Sequence, residues 1–169
     1  LMKPILDNPQ TASVTPFTNS GTICSFPQTL VDNRIFGGLD VNTVDSVFRQ
    51  IDPSSALIAI PTGVGFCMGI NWDTWKAIGP FDEERFGRGY GEENDWCMRA
   101  MSAGGHNLLV PNIFVYHKHG GSFPSEEKQK LMKENWEKLI KLHPDYPSRV
   151  QEFIASDPPK ALRKFASLL

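Results

Sequence analysis

The chain has 169 residues, 40% of them hydrophobic, which is enough for one compact domain with its own core and excludes a disordered or low-complexity protein. Its formal net charge of -2, with no dense run of Lys and Arg, argues against a surface made for nucleic acid. Cys24, Cys67 and Cys97 lie far apart with no Cys-x-x-Cys spacing, as ordinary buried thiols of a reducing compartment do.

No apolar run approaches the length of a membrane span, and Leu1 to Gln10 lacks the layout of a signal peptide. Because the first residue is not Met, the sequence reads as a piece cut from something longer.

In chain order, Leu1 to Asp7 reads as the end of a helix, Ala12 to Thr15 as a buried strand, and Pro16 to Pro27 as a loop of hydroxyls and turn formers. A helix is predicted over Leu39 to Ile51, with Asp40 as its N-cap and Pro53 as its stop. Leu57 to Ile60 and Gly63 to Ile70 are strand-like on either side of a bend at Pro61-Thr62-Gly63. A short helix capped by Asn71 or Asp73 runs to Ile78 and ends at Gly79-Pro80.

Phe81 to Gly91 reads as a loop and Glu92 to Ala103 as a helix, in which Asp95 and Arg99 can pair one turn apart before Gly104-Gly105 stops it. Two strands, Asn107 to Val110 and Ile113 to His117, flank a Pro111-Asn112 turn, and a glycine-rich loop follows from His117 to Ser122. After Phe123 the chain turns charged and helical. Ser125 is placed to cap a helix with an apolar stripe of Met132, Trp136, Leu139 and Ile140, Glu126 and Glu127 suit its positive end, and His143-Pro144 closes it. Tyr146 to Ala155 and Pro159 to Leu168 are two further helices. The predicted architecture is mixed α/β, a body over residues 1–123 with a helical C-terminal extension over 124–169.

The stretch from Gly87 to Cys97 concentrates the chemistry. Gly87-Arg88-Gly89-Tyr90-Gly91 lets the backbone hinge or approach a ligand, and Tyr90 can stack on a sugar or base. Behind it Glu92, Glu93 and Asp95 place three negative charges within four residues at a helix start. That is repulsive unless a proton, a cation or the helix dipole offsets it. Taken alone the cluster is an ordinary acidic first turn. The glycines and the aromatics Phe81, Phe86, Tyr90 and Trp96 favour a site.

His117 and His119 end a strand two residues apart and can face one metal ion, although a lone histidine is more often a surface or core residue. No serine-hydrolase elbow, P-loop, dinucleotide fingerprint, His-Glu-x-x-His or EF-hand loop occurs.

Four motifs occur in order: Gly63-Val64-Gly65-Phe66-Cys67-Met68-Gly69-Ile70; Trp75-Lys76-Ala77-Ile78-Gly79-Pro80-Phe81-Asp82; Tyr90-Gly91-Glu92-Glu93-Asn94-Asp95-Trp96-Cys97-Met98-Arg99; and Val115-Tyr116-His117. Together they resemble the C-terminal half of family 2 glycosyltransferases, closest to the bacterial rhamnosyltransferase-like members. The resemblance covers residues 1–123 and implies part of a GT-A sheet flanked by helices.

By position it implies that Glu93 is the base, with Glu92 and Asp95 as the neighbouring acids, and that His117 belongs to a metal site. Glu93 stands where the family commonly has Asp, so the assignment among the three acids stays open. Gly89, Tyr90, Gly91, Trp96 and, in the loop beneath the donor, Asn19 would bind substrate.

The implied reaction is inverting transfer of a sugar from a nucleotide-sugar donor to a hydroxyl of a glycan acceptor, in bacterial surface polysaccharide synthesis. The setting is cytoplasmic, at the inner face of the membrane. A divalent cation, Mn or Mg, would be held only together with an upstream Asp-x-Asp half, so the piece alone is expected to be inactive. Its exposed sheet edge would suit dimerisation. A non-catalytic carbohydrate-binding module is the competing reading, and a metal-dependent hydrolase using His117, His119 and Glu93 a third.

Overall fold

The structure is a computed structural model that describes residues 1–34, 40–87, 89–118 and 125–167, with the backbone alone at 125, 127 and 128. Leu39, Arg88, the loop from His119 to Ser122, Phe123, the Ser125 cap, the Glu127 side chain and Leu168 therefore lie outside the described residues.

Strand β1 (Thr11–Thr18) is the spine, and all eight of its residues are buried. Burial on both faces is the environment of a strand inside a sheet. It runs past the expected end at Thr15 and through Pro16, because its neighbours excuse the missing N–H. On one side β3 (Gly69–Ile70) pairs, antiparallel, only with Ser13 and Val14. On the other, the parallel partner β4 (His106–Val115) shifts register between Pro16 and Phe17.

The same shift explains why β4 is one strand and not two. Val110 faces Pro16 and Phe114 faces Phe17, so Pro111, Asn112 and Ile113 are taken up as a bulge rather than a turn. Strand β2 (Ile58–Ala59) joins β4 antiparallel, giving a mixed sheet in the order β2-β4-β1-β3.

Only Gly69–Ile70 of the strand expected from Gly63 forms. Upstream of it, side chains replace the ladder: the Gly63 N–H donates to Cys97 Sγ at 3.1 Å and the Val64 N–H to Thr15 Oγ1 at 3.3 Å.

Helix α1 (Lys3–Asp7) precedes the sheet. Helix α2 (Val41–Phe48) starts where Asp40 accepts the Thr43 N–H at 2.7 Å, and it stops at Phe48 rather than Ile51. At Asp52-Pro53, read as a stop, a short helix α3 (Pro53–Ala56) begins instead, since proline suits the first helical position. Helix α4 (Trp72–Ile78) is capped by Asn71 and closed by Gly79 at φ 84°. Inside the expected loop lies α5 (Glu83–Phe86), capped by Asp82. Then come α6 (Glu92–Ser102), α7 (Ser125–Leu142), α8 (Tyr146–Ser156) and α9 (Lys160–Ala166).

The mixed α/β class is as predicted. Among the described residues three apolar clusters hold it together. Phe17, Phe48 and Phe114 stack between the sheet and α2, and Phe153 of α8 and Ala166 of α9 are buried in the same cluster. Trp96, Cys97 and Ala100 of α6 pack on Ala12 of β1, with Trp75, Ile78 and Phe81 around them. Phe86, Met98, Leu139 and Tyr146 join α5, α6, α7 and α8. Residues 125–166 thus contribute to two of the three clusters. Among the described residues no helix is long and apolar enough to cross a membrane.

Candidate functional site

The backbone at the start of α6 is left-handed over three consecutive residues, Gly89 (φ 132°), Tyr90 (φ 67°) and Gly91 (φ 120°). Gly91 has a second reason to lack a side chain. A Cβ there would meet the Phe86 ring at 3.0 Å. The turn brings Glu93 back over the helix start, where the Gly91 N–H donates to Glu93 Oε2 at 3.4 Å. Gly65 passes close to the other carboxylate oxygen, 3.8 Å from where its Cβ would stand.

Glu93 opens into a cleft of about 350 Å³. Thr62 and Asn94 give that cleft polar groups beside the carboxyl, while Met132, Trp136 and Leu139 of α7 form an apolar wall. Tyr90, Gly91 and Tyr146 also line it.

Burial is the larger cause, and the charge of Glu92 the second, that raises the Glu93 carboxyl to about 7 from its ordinary 4.5. The backbone N–H groups at the helix start pull weakly the other way. Such a group exchanges a proton readily near neutral pH. Glu92 stands beside it, and its Oε2 is buried with no hydrogen-bond partner among the described residues.

Behind the carboxyl lies a hydroxyl and amide network. Asn94 Nδ2 donates to Thr62 Oγ1 at 2.7 Å, and the buried Tyr146 hydroxyl is within reach of both residues. Burial, then the charges of Cys97 and Glu93, hold the Tyr146 phenol well above its ordinary value, so it stays a neutral donor. Burial also raises the Cys97 thiol to about 11 and the Cys24 thiol to about 12, which leaves neither as a thiolate nucleophile.

The other expected site residues are placed elsewhere. Asp95 is 3% exposed and faces a different groove, held by Arg99 Nε and His143 Nε2, both at 2.8 Å. Trp96 is fully buried, donates its Nε1–H to the Gly79 carbonyl at 3.0 Å and packs between Trp75 and Phe81, so it positions α6 rather than lining the cleft. Asn19 ties β1 to the end of β4. Its Oδ1 accepts the His117 N–H at 2.8 Å and its Nδ2 donates to the His117 carbonyl at 3.1 Å. The Gly89 carbonyl accepts from Asn135 Nδ2 at 2.7 Å.

The His117 ring stacks on Phe66 with Nδ1 against the Ser20 carbonyl. In the neutral ring that contact holds the proton on Nδ1 and the lone pair on Nε2, the orientation a metal-ligating histidine takes. One histidine is not a donor set. Among the described residues no three His, Cys, Asp or Glu side chains gather to hold a metal ion.

Asn135, Trp136, Tyr146 and His143 are the residues the motifs did not reveal. Asn135 sits among the apolar stripe of α7, spaced one turn from Met132 and Leu139, and this polar break in an apolar face was its signal. It is 1% exposed and donates to the Phe86 carbonyl, as well as to Gly89, at 2.7 Å. Compared with family models, with curated proteins and with solved structures, the chain finds no match.

Proposed function

We propose that this chain is the acceptor-side part of an inverting glycosyltransferase with Glu93 as its general base. The observation that carries the proposal is a single carboxyl, raised to about 7, set in a cleft with polar groups and an apolar wall that includes Trp136. In the reaction the Glu93 carboxylate takes the proton of an acceptor hydroxyl. That oxygen attacks the anomeric carbon of the donor sugar, and the bond to the nucleoside diphosphate breaks with its electron pair leaving on the diphosphate. On this reading the nucleotide is bound outside the described residues, and the setting in surface polysaccharide synthesis rests on the motif resemblance.

Glu93→Gln in the enzyme that carries this chain keeps the shape and removes the base. Transfer of labelled sugar from a nucleotide-sugar donor is expected to fall by about 10²- to 10⁴-fold. The wild-type rate is expected to rise with pH through about 7, as the carboxyl loses its proton. Transfer by the variant at the wild-type rate would refute the assignment.

A second reading, a non-catalytic carbohydrate-binding module, is favoured by the 46% exposure of Trp136 in the lining of the same cleft. Glycan binding that persists with chelator and without nucleotide, combined with no transfer in the longer protein, would select it.

A further inference from the structure

We propose that Trp136 is the specificity platform of the cleft, stacking on the apolar C–H face of a neutral saccharide ring whose hydroxyl edge reaches Glu93. This rests on reading the cleft as an acceptor site.

The occupant's chemistry follows from how the cleft is divided. Glu93, Asn94 and Thr62 are the polar part of the lining, and Ile23, Val64, Met132, Trp136, Leu139 and Val150 belong to a larger apolar part. An acyl chain would satisfy the apolar part and leave the polar groups desolvated without partners, which is costly. A pyranose has both surfaces, C–H groups on its face and hydroxyls around its edge. At about 350 Å³ the cleft has the volume of a small-ligand site.

Charge narrows the class further. Glu93 is the one carboxylate or cation among the described residues that line the cleft. A uronate or phosphate beside it would meet like charge and no counter-ion among those residues, which favours a neutral ring.

Trp136 is also held in place for stacking. Its ring leans edge-on against the buried Tyr146, with centroids 6.0 Å apart at 63°, and 46% of the residue remains exposed. The adjacent Asn135 fixes α7 against the α5–α6 connection through its two carbonyl contacts, so Trp136 is set in place before any ligand arrives. Stacking of this kind acts on the bound ground state, and it therefore appears in KM rather than kcat.

The test is saturation-transfer NMR on the full chain with methyl β-D-glucopyranoside, whose H1, H3 and H5 share one ring face, and with methyl β-D-glucuronide. Saturation is expected to be strongest at H1, H3 and H5. Trp136→Ala is expected to weaken binding about tenfold, a loss of about 1.4 kcal/mol. Trp136→Phe should recover most of it, and the glucuronide should bind about tenfold more weakly near pH 8. Unchanged binding in a Trp136→Ala variant with a native circular dichroism spectrum would overturn the proposal. So would absence of saturation for both glycosides, or equal binding of the two. Failure of the enzymatic reading looks different: Glu93→Gln would leave transfer intact while Trp136-dependent binding persisted.

Discussion

Glu93 and Asp95 are two acids of one helical turn with opposite surroundings. Glu93 reaches a cleft with no cation among its described lining residues, and Asp95 is buried between Arg99 and His143. The sequence presented both as members of one acidic cluster, and the Asp95–Arg99 pair was legible because it spans a single helical turn. Its second partner was not. His143 is 48 residues away, and no local pattern announces a contact of that range. Removing the buried Asp95 carboxylate takes the acceptor away from Arg99 Nε and His143 Nε2 together. Asp95→Ala is therefore expected to lower unfolding stability by about 3 kcal/mol, read from urea denaturation, whereas Glu93→Ala should not.

At the scale of the element, helix starts were the most legible feature. Asp40 and Asn71 cap α2 and α4 because a cap is a contact over two or three residues, and its signal is local. Prolines misled for the opposite reason. Pro16 and Pro111 read as breaks, yet both sit at the shared irregularity of β1 and β4, where each strand accommodates the other's defect. Only tertiary pairing reveals that.

Helix α7 shows the same limit. Its stripe was legible, but only its Leu139 is fully buried while Met132 and Trp136 stay exposed, and the use of Asn135 to hold the connection carrying Tyr90 was not legible. Asn135→Ala leaves the Phe86 and Gly89 carbonyls without that donor, and a loss of about 2 kcal/mol is expected. Thermal unfolding would measure it. Hydrogen exchange should quicken at the amides between Phe86 and Gly91 while β1 stays protected.

For the whole molecule, the mixed α/β class followed from alternating strand and helix patterns. The role of the final helices did not, because an amphipathic stripe does not name the surface it covers. Phe153 and Ala166 enter the cluster of Phe17, Phe48 and Phe114, and Leu139 and Tyr146 pack with Phe86 and Met98. Helices α7 and α8 also line the cleft, so stability and the site are coupled through them. Phe153→Ala, far along the chain from Glu93, is expected to cost about 3 kcal/mol in the cooperative unfolding of the entire chain. Separate melting of the C-terminal helices would contradict that coupling.

The chemistry of the cleft depends on the state of one carboxyl. NMR titration of a chain carrying ¹³C at its glutamate carboxyl groups follows Glu93 directly, with Glu93→Gln identifying the resonance. The native state should hold a proton that the unfolded chain releases between its ordinary 4.5 and about 7. This contribution to stability is present in full below the first value and is lost as pH rises through the second. A Glu93 midpoint near 7 that moves down when Glu92→Gln removes the neighbouring charge is the predicted result; a midpoint at the ordinary 4.5, indifferent to Glu92, would contradict it.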